Sequence, residues 1–330
     1  MEEFKSFKRW IFSVSNENFN ERALLLFRFQ AVHNMVYRSY LEKIGCRPEK
    51  IDKIEEIPFL PISLFRTSEV KTGQWKEEII FLSSGTTSMT RSRHFIPELD
   101  FYHKTCLEIF RMYYDDPSKY VILSLMPSIN ENPSSSLIQM VNYLANKSGS
   151  PDSGFYLGDL QFLRKVINRL QKTGNSRLII WGITYALLDL AASSEMDLTD
   201  CIVIETGGMK GRREELIRRE VHEILKKSFQ ISSIHSEYGM TELHSQTYAK
   251  SNGRFQAPPW MKILTREIND PLGINNNSKY GAVNIIDLAN FQSCAFIATE
   301  DVGIVHNDGM FEIIGRMDYS DVRGCNLLLN

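Results

Sequence analysis

The chain has 330 residues, of which 43% are hydrophobic and 11% aromatic, as is typical of a globular protein with a substantial core. Its 38 Lys and Arg residues nearly balance its 40 Asp and Glu residues, so the formal net charge is −2. This balance argues against a basic surface that binds nucleic acid or an anionic membrane.

The five cysteines are odd in number and widely spaced, with no C-x-x-C pair, which argues against a disulfide framework or a zinc site. That pattern favours a reducing cytoplasm. The charged N-terminus has no apolar segment suited to export. The most apolar window, residues 178–192, is broken by Gly182, Thr184 and Asp189 and is too short to span a bilayer. We therefore predict a cytoplasmic protein with no transmembrane segment.

The first elements surround a hydroxyl-rich stretch. Helical spacing of apolar residues predicts one helix over residues 20–40, capped by Asn20 and ended by Gly45. Residues 57–65 carry two prolines, Pro58 and Pro61, which predicts an extended segment. Apolar runs then flank the stretch that begins at Ser83, so we predict a strand, a tight loop and a returning strand.

Strands and helices then alternate. The predicted helices cover residues 98–113, 135–144, 161–170, 183–192 and 212–227, and the predicted strands 120–125, 177–181, 201–205 and 231–235. The apolar strands are nearly continuous, as in mostly parallel sheets covered on both faces. Short strands follow at 260–266, 281–288, 295–298 and 310–314. With no clear linker, we predict one α/β domain over residues 1–330, with an α/β subdomain at 1–250 and a β-rich subdomain at 251–330.

The hydroxyl loop suits an anionic ligand. Backbone N–H groups, hydroxyls and nearby guanidinium groups of this kind can hold phosphate. The loop lacks the second glycine and the lysine of the P-loop, and such loops are also common as plain turns. The residues concerned are Ser83, Ser84, Gly85, Thr86, Thr87 and Ser88, followed by Arg91 and Arg93.

Three further polar clusters follow apolar strands, where open α/β sheets bind ligands. Paired glycines let a flat ligand approach the backbone, a tyrosine can stack on a base, and a carboxylate can hold Mg²⁺ or accept from sugar hydroxyls. Each cluster taken alone could also be an ordinary turn. Their members are Gly207, Gly208 and Lys210; Tyr238, Gly239, Thr241 and Glu242; and Asp301 with Arg316.

In order and spacing the four clusters resemble the adenylate-forming superfamily. Residues 83–88 resemble its phosphate loop, Tyr238–Glu242 its Y-G-x-T-E motif, Asp301 its ribose-binding aspartate, and residues 315–318 its hinge motif. Thr90 departs from the small or apolar residue expected there. The resemblance implies the large N-terminal domain of that fold, with layered α/β sheets and a small β-rich C-terminal subdomain. Since the chain stops soon after the hinge, we expect the mobile C-terminal lid and its lysine to be absent.

The chain is most similar to the acyl-protein synthetase branch (LuxE type), on residues 57–65, 207–211 and 323–325. The resemblance implies activation of a carboxylic acid, commonly a fatty acid, as acyl-AMP with ATP and Mg²⁺. It also implies transfer to a cysteine near the C-terminus, by position Cys325, and then to a reductase partner. By its chemistry alone Cys325 is more simply an ordinary tail cysteine. Arg91, Arg93, Lys210 and Arg316 are the candidate cations that would replace the lid lysine.

Two other functions stay open at this point. One is an acyl-CoA ligase whose lid is missing or supplied by another chain. The other is a degenerate protein that binds a nucleotide or an acyl group without catalysis. A serine hydrolase is disfavoured, because the serines at 134–136 do not lie in a G-x-S-x-G elbow.

Overall fold

The computed structural model describes residues 2–84, 91–174, 177–193, 195–207, 216–268 and 280–317. None of its described helices is both long and apolar enough to cross a membrane. Several predicted site residues lie outside the described ranges, namely Gly85, Thr86, Thr87, Ser88, Gly208, Lys210 and Cys325.

In chain order, the helices of the described residues are α1 (Glu2–Trp10), α2 (Phe19–His33), α3 (Met35–Lys43), α4 (Leu64–Thr67), α5 (Leu99–Tyr114), α6 (Ser136–Ser148), α7 (Leu160–Thr173), α8 (Thr184–Ser193) and α9 (Arg218–Phe229). The strands are β1 (Leu60–Pro61), β2 (Ile79–Leu82), β3 (Arg93–Ile96), β4 (Tyr120–Leu125), β5 (Gly154–Phe155), β6 (Arg177–Ile183), β7 (Ile202–Thr206), β8 (His235–Tyr238), β9 (Thr247–Ala249), β10 (Met261–Arg266), β11 (Tyr280–Asp287), β12 (Phe296–Val305) and β13 (Phe311–Arg316).

The chain divides into two compact units. One takes in residues up to Leu64, Val70–Gly73 and the chain from Pro259 on, and the other takes in Phe65–Glu69 and Gln74–Pro258. The prediction of a single domain with subdomains at 1–250 and 251–330 stays a prediction.

The unit that contains Gln74–Pro258 is built on a six-stranded sheet in the order β5-β4-β6-β7-β8-β9. Strands β4 to β8 pair in parallel and β9 runs antiparallel to β8. Parallel neighbours need a crossover, and α7, α8 and α9 supply the crossovers to β6, β7 and β8. Strand β4 is buried along its whole length, which explains its unbroken apolar run. The predicted parallel sheet is confirmed.

The hydroxyl loop leaves from a hairpin of the same unit. Strands β2 and β3 pair antiparallel, from Ile79 opposite Ile96 to Leu82 opposite Arg93. Ser83 continues the pairing, since its N–H donates to the Ser92 carbonyl at 3.1 Å and its Oγ accepts the Ser92 N–H at 2.9 Å. The predicted strand and returning strand are therefore confirmed, and residues 85–90 of the loop lie outside the described residues.

The other unit carries a five-stranded sheet. Strands β10, β11, β12 and β13 pair antiparallel in sequence order. Strand β1 runs parallel to β12 and pairs with Ile297 and Ala298, on the side of β12 that faces away from β11. The short strands predicted for the last third of the chain are confirmed. Helices α1, α2 and α3 belong to this unit.

The prediction of one helix over residues 20–40 is wrong. The chain forms α2 and α3, which are separated by Asn34 in an extended conformation (φ −99°, ψ 107°). Asn34 Oδ1 accepts the Tyr37 N–H at 2.9 Å and caps α3, while its amide donates to the Ser293 carbonyl at 2.8 Å. An asparagine that finds such partners favours a cap over a helix interior. Helix α2 also begins at Phe19, so Asn20 lies inside it rather than at its cap.

Two other boundaries need correction. The strand predicted at 231–235 lies later in the chain, at His235–Tyr238 (β8). Helix α9 ends at Phe229, its cap residue Gln230 is in the left-handed region (φ 56°), and residues 231–234 form the connection to β8. Pairing with β7 sets the start of β8, since His235 lies opposite Ile204. The helix predicted to begin at 212 begins at Arg218 within the described chain.

Close backbone packing in the five-stranded sheet requires a glycine at position 281. A Cβ at this position would overlap the carbonyl oxygen of Arg266 on the neighbouring strand β10. We expect Gly281→Ala to lower the free energy of unfolding by about 1–3 kcal/mol, measured by urea denaturation. Gly158→Ala is the control, because a Cβ at Gly158 would meet no atom within 4 Å. Equal stability of the two variants would contradict the prediction.

Candidate functional site

Two of the predicted clusters leave the sheet at the same edge. Strand β7 ends at Thr206, directly before the exposed Gly207, and β8 ends at Tyr238, directly before Gly239. The two strands are parallel neighbours, with Thr206 opposite Glu237. Their carboxyl ends therefore lie side by side, which is where open α/β sheets bind ligands.

A buried histidine joins the hairpin of the hydroxyl loop to the Tyr238–Glu242 loop. His94 of β3 has its Nδ1 2.8 Å from the Thr241 carbonyl oxygen. A carbonyl only accepts, so the imidazole donates from Nδ1. The ring is 1% exposed and lies edge-on to Phe65 and Phe81. In the sequence, the signal for His94 is its position after the hydroxyl loop, next to Arg93.

The described part of the hydroxyl loop faces outward. Ser84 and Arg91 are exposed, and Ser83 is half-buried. The guanidinium group of Arg93 lies over the Phe95 ring at 5.5 Å, which is a cation–π contact. The structure thus places Ser84 and Arg91 where a ligand from solvent can reach them.

The residues of the Tyr238–Glu242 loop differ in exposure. The Tyr238 ring is buried and packs against Phe255, with ring centroids 5.7 Å apart. Gly239 is exposed, Thr241 is half-buried, and the Glu242 carboxylate is buried. Stacking of Tyr238 on a base stays a prediction.

A serine, a histidine and a glutamate also lie close together below these loops. Ser236 Oγ is 3.3 Å from His222 Nε2, and the same nitrogen is 3.9 Å from Glu205 Oε2. A catalytic triad uses both imidazole nitrogens, one toward the serine and one toward the acid. Ser236 is also fully buried. This group therefore does not indicate a hydrolase.

In the other unit, Asp301 and Arg316 lie opposite each other on β12 and β13. The Arg316 Nε is 3.6 Å from Asp301 Oδ1, and the arginine is mostly exposed while the aspartate is nearly buried. The Asp301 N–H donates to Thr299 Oγ1 at 3.1 Å, which holds its backbone in place. Because the arginine is mostly exposed, solvent screens this ion pair and weakens it.

The chain can now be compared with known proteins. The family described as acyl-protein synthetase, LuxE, matches residues 140–330, which is more than half of the chain. This protein belongs to the LuxE acyl-protein synthetase family. The matched range contains Tyr238–Glu242, Asp301, Arg316 and Cys325. A comparison with curated proteins finds no match.

Solved structures of adenylate-forming enzymes share the fold of this LuxE-family chain. ATP-bound MatB from Rhodopseudomonas palustris is 13% identical with a TM-score of 0.53, over 76% of this chain and 50% of that one. The ATP-bound chimera RpMatB-BxBclM B3 gives 0.54 at the same identity and coverage. A long-chain-fatty-acid-CoA ligase, FadD1 from Archaeoglobus fulgidus, gives 0.52 at 13% identity, over 76% and 53%. At this identity the likeness shows the fold alone, and it confirms the predicted fold class. The chain spans about half the length of these relatives.

The four described cysteines of the LuxE-family chain are poor nucleophiles. Cys106 and Cys294 are buried, and Cys46 and Cys201 are half-buried. Burial raises the pKa of Cys294 to about 12 and, together with Asp200 and Asp197, that of Cys201 to about 11. Burial also raises the pKa of Cys46. Since the thiolate is the reactive form, these groups react slowly near neutral pH.

One cavity of about 600 Å³ lies at the other end of the six-stranded sheet. Its lining includes Lys119 before β4, Arg177 at the start of β6 and Cys201 before β7, so it opens at the amino ends of these strands. None of the predicted site residues lines it. The two motif loops, which begin at Gly207 after β7 and at Gly239 after β8, leave from the opposite edge, at the carboxyl ends of the strands.

The contact between His94 and Thr241 gives a stability prediction. His94→Phe keeps a ring against Phe65 and Phe81 but removes the Nδ1 donor from a buried carbonyl. We expect the free energy of unfolding to fall by about 1–3 kcal/mol in urea denaturation. The exposed His33 offers a matched control, and His33→Phe is expected to stay within about 0.5 kcal/mol of the wild type. A neutral His94→Phe would show that this hydrogen bond does not hold the loop.

Proposed function

We propose that this LuxE-family protein activates a carboxylic acid, most simply a fatty acid, with ATP and transfers the acyl group from acyl-AMP to the thiol of Cys325. The observation that carries the proposal is the family match over residues 140–330, which takes in the Tyr238–Glu242 loop, Asp301, Arg316 and Cys325. The contact between His94 and Thr241 supports it, since it joins the hairpin of the hydroxyl loop to the Tyr238–Glu242 loop.

The first step makes the acid reactive. A carboxylate oxygen attacks the α-phosphorus of ATP, the bond from that phosphorus to the bridging oxygen breaks, and pyrophosphate leaves with the electron pair. Negative charge gathers on the phosphoryl oxygens, so positioned donors lower the barrier. We assign that role to the hydroxyl loop from Ser83 to Ser88 and to cations, with Arg91 and Lys210 first and Arg93 and Arg316 as alternatives.

The remaining predicted residues hold the nucleotide. We propose that Gly207 and Gly208 let the base approach the backbone, and that Tyr238 and Gly239 contact the base. Thr241 is proposed to bond a phosphate, Asp301 to accept from the ribose hydroxyls, and Arg316 to bind ribose or phosphate. ATP-bound MatB and the ATP-bound chimera share the fold, which supports a nucleotide as the ligand.

Mg²⁺ fits this site only in one mode. Among the described residues, no group of three or more His, Cys, Asp or Glu side chains could hold a metal ion by itself. Magnesium is commonly held by one or two carboxylates together with substrate phosphates. The buried carboxylate of Glu242 suits that mode. The ion would offset phosphate charge when it is bound.

The second step moves the acyl group. The Cys325 thiolate attacks the acyl carbonyl, the bond to the phosphate oxygen breaks, and AMP leaves with the electron pair, which gives a thioester. A nearby positive charge lowers a thiol pKa, and Arg323 is two residues away in sequence. The high pKa values of Cys201 and Cys294 support Cys325 as the acceptor. A reductase partner would then take the acyl group.

The test is carboxylate-dependent exchange of labelled pyrophosphate into ATP, run with Mg²⁺ across a panel of fatty and aromatic acids. Exchange with at least one acid is expected, together with an acyl adduct in the intact-protein mass. Absence of exchange with every acid would overturn the proposal.

A second candidate is an acyl-CoA ligase, which the fold shared with FadD1 favours. Release of acyl-CoA into solution on adding coenzyme A would distinguish it from self-acylation. Tight ATP binding without AMP production would instead indicate a protein that binds the nucleotide without catalysis.

A further inference from the structure

Two glutamate side chains are buried one strand apart, directly below the two motif loops. Glu205 of β7 is 4% exposed and Glu237 of β8 is 6% exposed. Glu205 lies opposite Ser236, and Thr206 lies opposite Glu237. Successive residues of a strand point to opposite faces, so the two carboxyl groups lie on opposite faces of the same sheet edge. Glu205 precedes the Gly207 turn and Glu237 precedes Tyr238.

Glu205 is held as a carboxylate. Thr184 Oγ1 donates to its Oε1, and His222 Nε2 lies 3.9 Å from its Oε2. Burial raises the pKa of Glu205, but the hydrogen bond from Thr184 and the proximity of His222 and Arg218 outweigh burial. Its pKa therefore lies below the ordinary value. A negative charge is thus fixed beneath the Gly207 turn.

Glu237 sits in different surroundings. Its Oε2 accepts from Thr206 Oγ1, and its Oε1 lies so close to Gly239 that a Cβ there would be 2.7 Å away and would force the carboxyl group to shift. No cation of the described chain contributes to its pKa. The titratable groups that interact with it are Tyr102 and Tyr114 of α5 and Tyr248 of β9, Cys106 of α5 lies beside Tyr102, and Glu205 of β7 acts from the opposite face of the sheet.

These surroundings favour the neutral acid. Burial, and then the charge of Glu205, raises the pKa of Glu237 from 4.5 to about 7, although the Thr206 hydrogen bond opposes the shift. Burial raises the pKa of Tyr102, Tyr114 and Tyr248 well above the ordinary value, so these tyrosines stay neutral. Glu237 therefore keeps its proton below about pH 7, whereas Glu205 is ionised there.

We propose that Glu237 is a positioning residue: as a neutral acid it packs against Gly239 and holds the Tyr238–Glu242 loop in the form that binds ATP. The inference rests on the proposed function and adds a residue that the motif does not include. Ionisation of Glu237 would place a second buried negative charge beside Glu205, next to a loop that receives a polyanion. Like charges on neighbouring strands disfavour each other.

The expected signature is a pH-dependent affinity for ATP. If only the neutral form binds, the dissociation constant is about tenfold higher near pH 8 than near pH 6, because the competent fraction falls by that factor. In Glu237→Gln the side chain stays neutral, so this rise disappears. ATP itself titrates in the same range, so the quantity to compare is the ratio of wild-type to variant dissociation constants at each pH.

The pH dependence of the free energy of unfolding is a second expected effect of Glu237, and its direction follows from the raised pKa. The pKa of Glu237 is raised in the fold, so its favourable contribution is complete below about 4.5 and is lost as pH rises through about 7. In Glu237→Gln the free energy of unfolding should decrease less than in the wild type as pH rises from about 4.5 through about 7. A residue with only a structural role would change this stability profile but not the ATP-affinity ratio.

The experiment is calorimetric titration of the full chain with ATP from about pH 6 to about pH 8.5, for wild type, Glu237→Gln and the control Glu223→Gln. Glu223 is exposed on α9 and should follow the wild type. A constant ratio for Glu237→Gln would overturn the inference, whereas wild type that binds no ATP at any pH would overturn the proposed function. If Glu237→Gln fails to fold, infrared spectroscopy of the wild type replaces it. The band of a neutral carboxylic acid is expected at pH 6 and should vanish as pH rises through about 7. Absence of that band at pH 6 would overturn the inference.

Discussion

Replacing Cys325 by serine is expected to abolish covalent acylation of the protein while leaving acyl-AMP formation intact. A serine hydroxyl is almost never ionised near neutral pH, so attack on the acyl carbonyl should slow by about 100-fold or more. Pyrophosphate exchange reports only the first step and should stay within about twofold of wild type. The measurement is intact-protein mass after incubation with acid, ATP and Mg²⁺, with exchange assayed in parallel.

The other cysteines provide matched controls for that experiment. Cys201→Ser changes a half-buried thiol whose pKa is raised to about 11, and Cys46→Ser changes a second half-buried thiol. Both variants should acylate as the wild type does. Acylation of Cys325→Ser at the wild-type level would place the acceptor at another residue and refute this part of the proposal.

Replacing Glu242 by glutamine should produce the largest loss in the first step. Glutamine keeps the size of the buried side chain but removes the charge that we assign to Mg²⁺. We expect the exchange rate at saturating ATP to fall by about 100-fold, or about 2.7 kcal/mol in the barrier. The Mg²⁺ concentration for half-maximal rate should rise, and an exchange assay against MgCl₂ measures both quantities.

Glu223→Gln removes the same charge from an exposed position on α9, where Glu223 pairs with Lys226 at 3.0 Å. Its exchange rate and Mg²⁺ dependence should match the wild type. If Glu242→Gln also keeps the wild-type Mg²⁺ dependence, then Glu242 is a structural carboxylate and the metal is held elsewhere. Thermal unfolding of each variant separates loss of fold from loss of the metal ligand.

The sequence predicted the elements whose signal is local. Residues 120–125 were predicted as a strand from a continuous apolar run, and β4 spans the same residues because both of its faces are covered. Ser135 was predicted to start a helix, and its Oγ caps α6 by accepting the Ile138 N–H. The motif order also predicted the family. These features depend on residues that are neighbours in the chain.

The sequence did not predict features that depend on distant residues. Asn34 breaks the predicted helix because its amide reaches the carbonyl of Ser293, 259 positions later. The start of β8 depends on its register with β7. The pairing of Asp301 with Arg316 likewise follows from the register of β12 and β13.

By itself, the sequence determined the fold class, the family and most of the helices and strands, since periodicity and motif order are properties of the chain. Only the tertiary structure decided that His94 contacts Thr241, which residues oppose each other on β7 and β8, and that Glu205 and Glu237 are buried together. The physical reason is that hydrogen bonds between strands and the burial of charge depend on groups that only folding brings close. The opposite directions of the pKa shifts of the two glutamates have the same origin, because they arise from the surroundings of each carboxyl group.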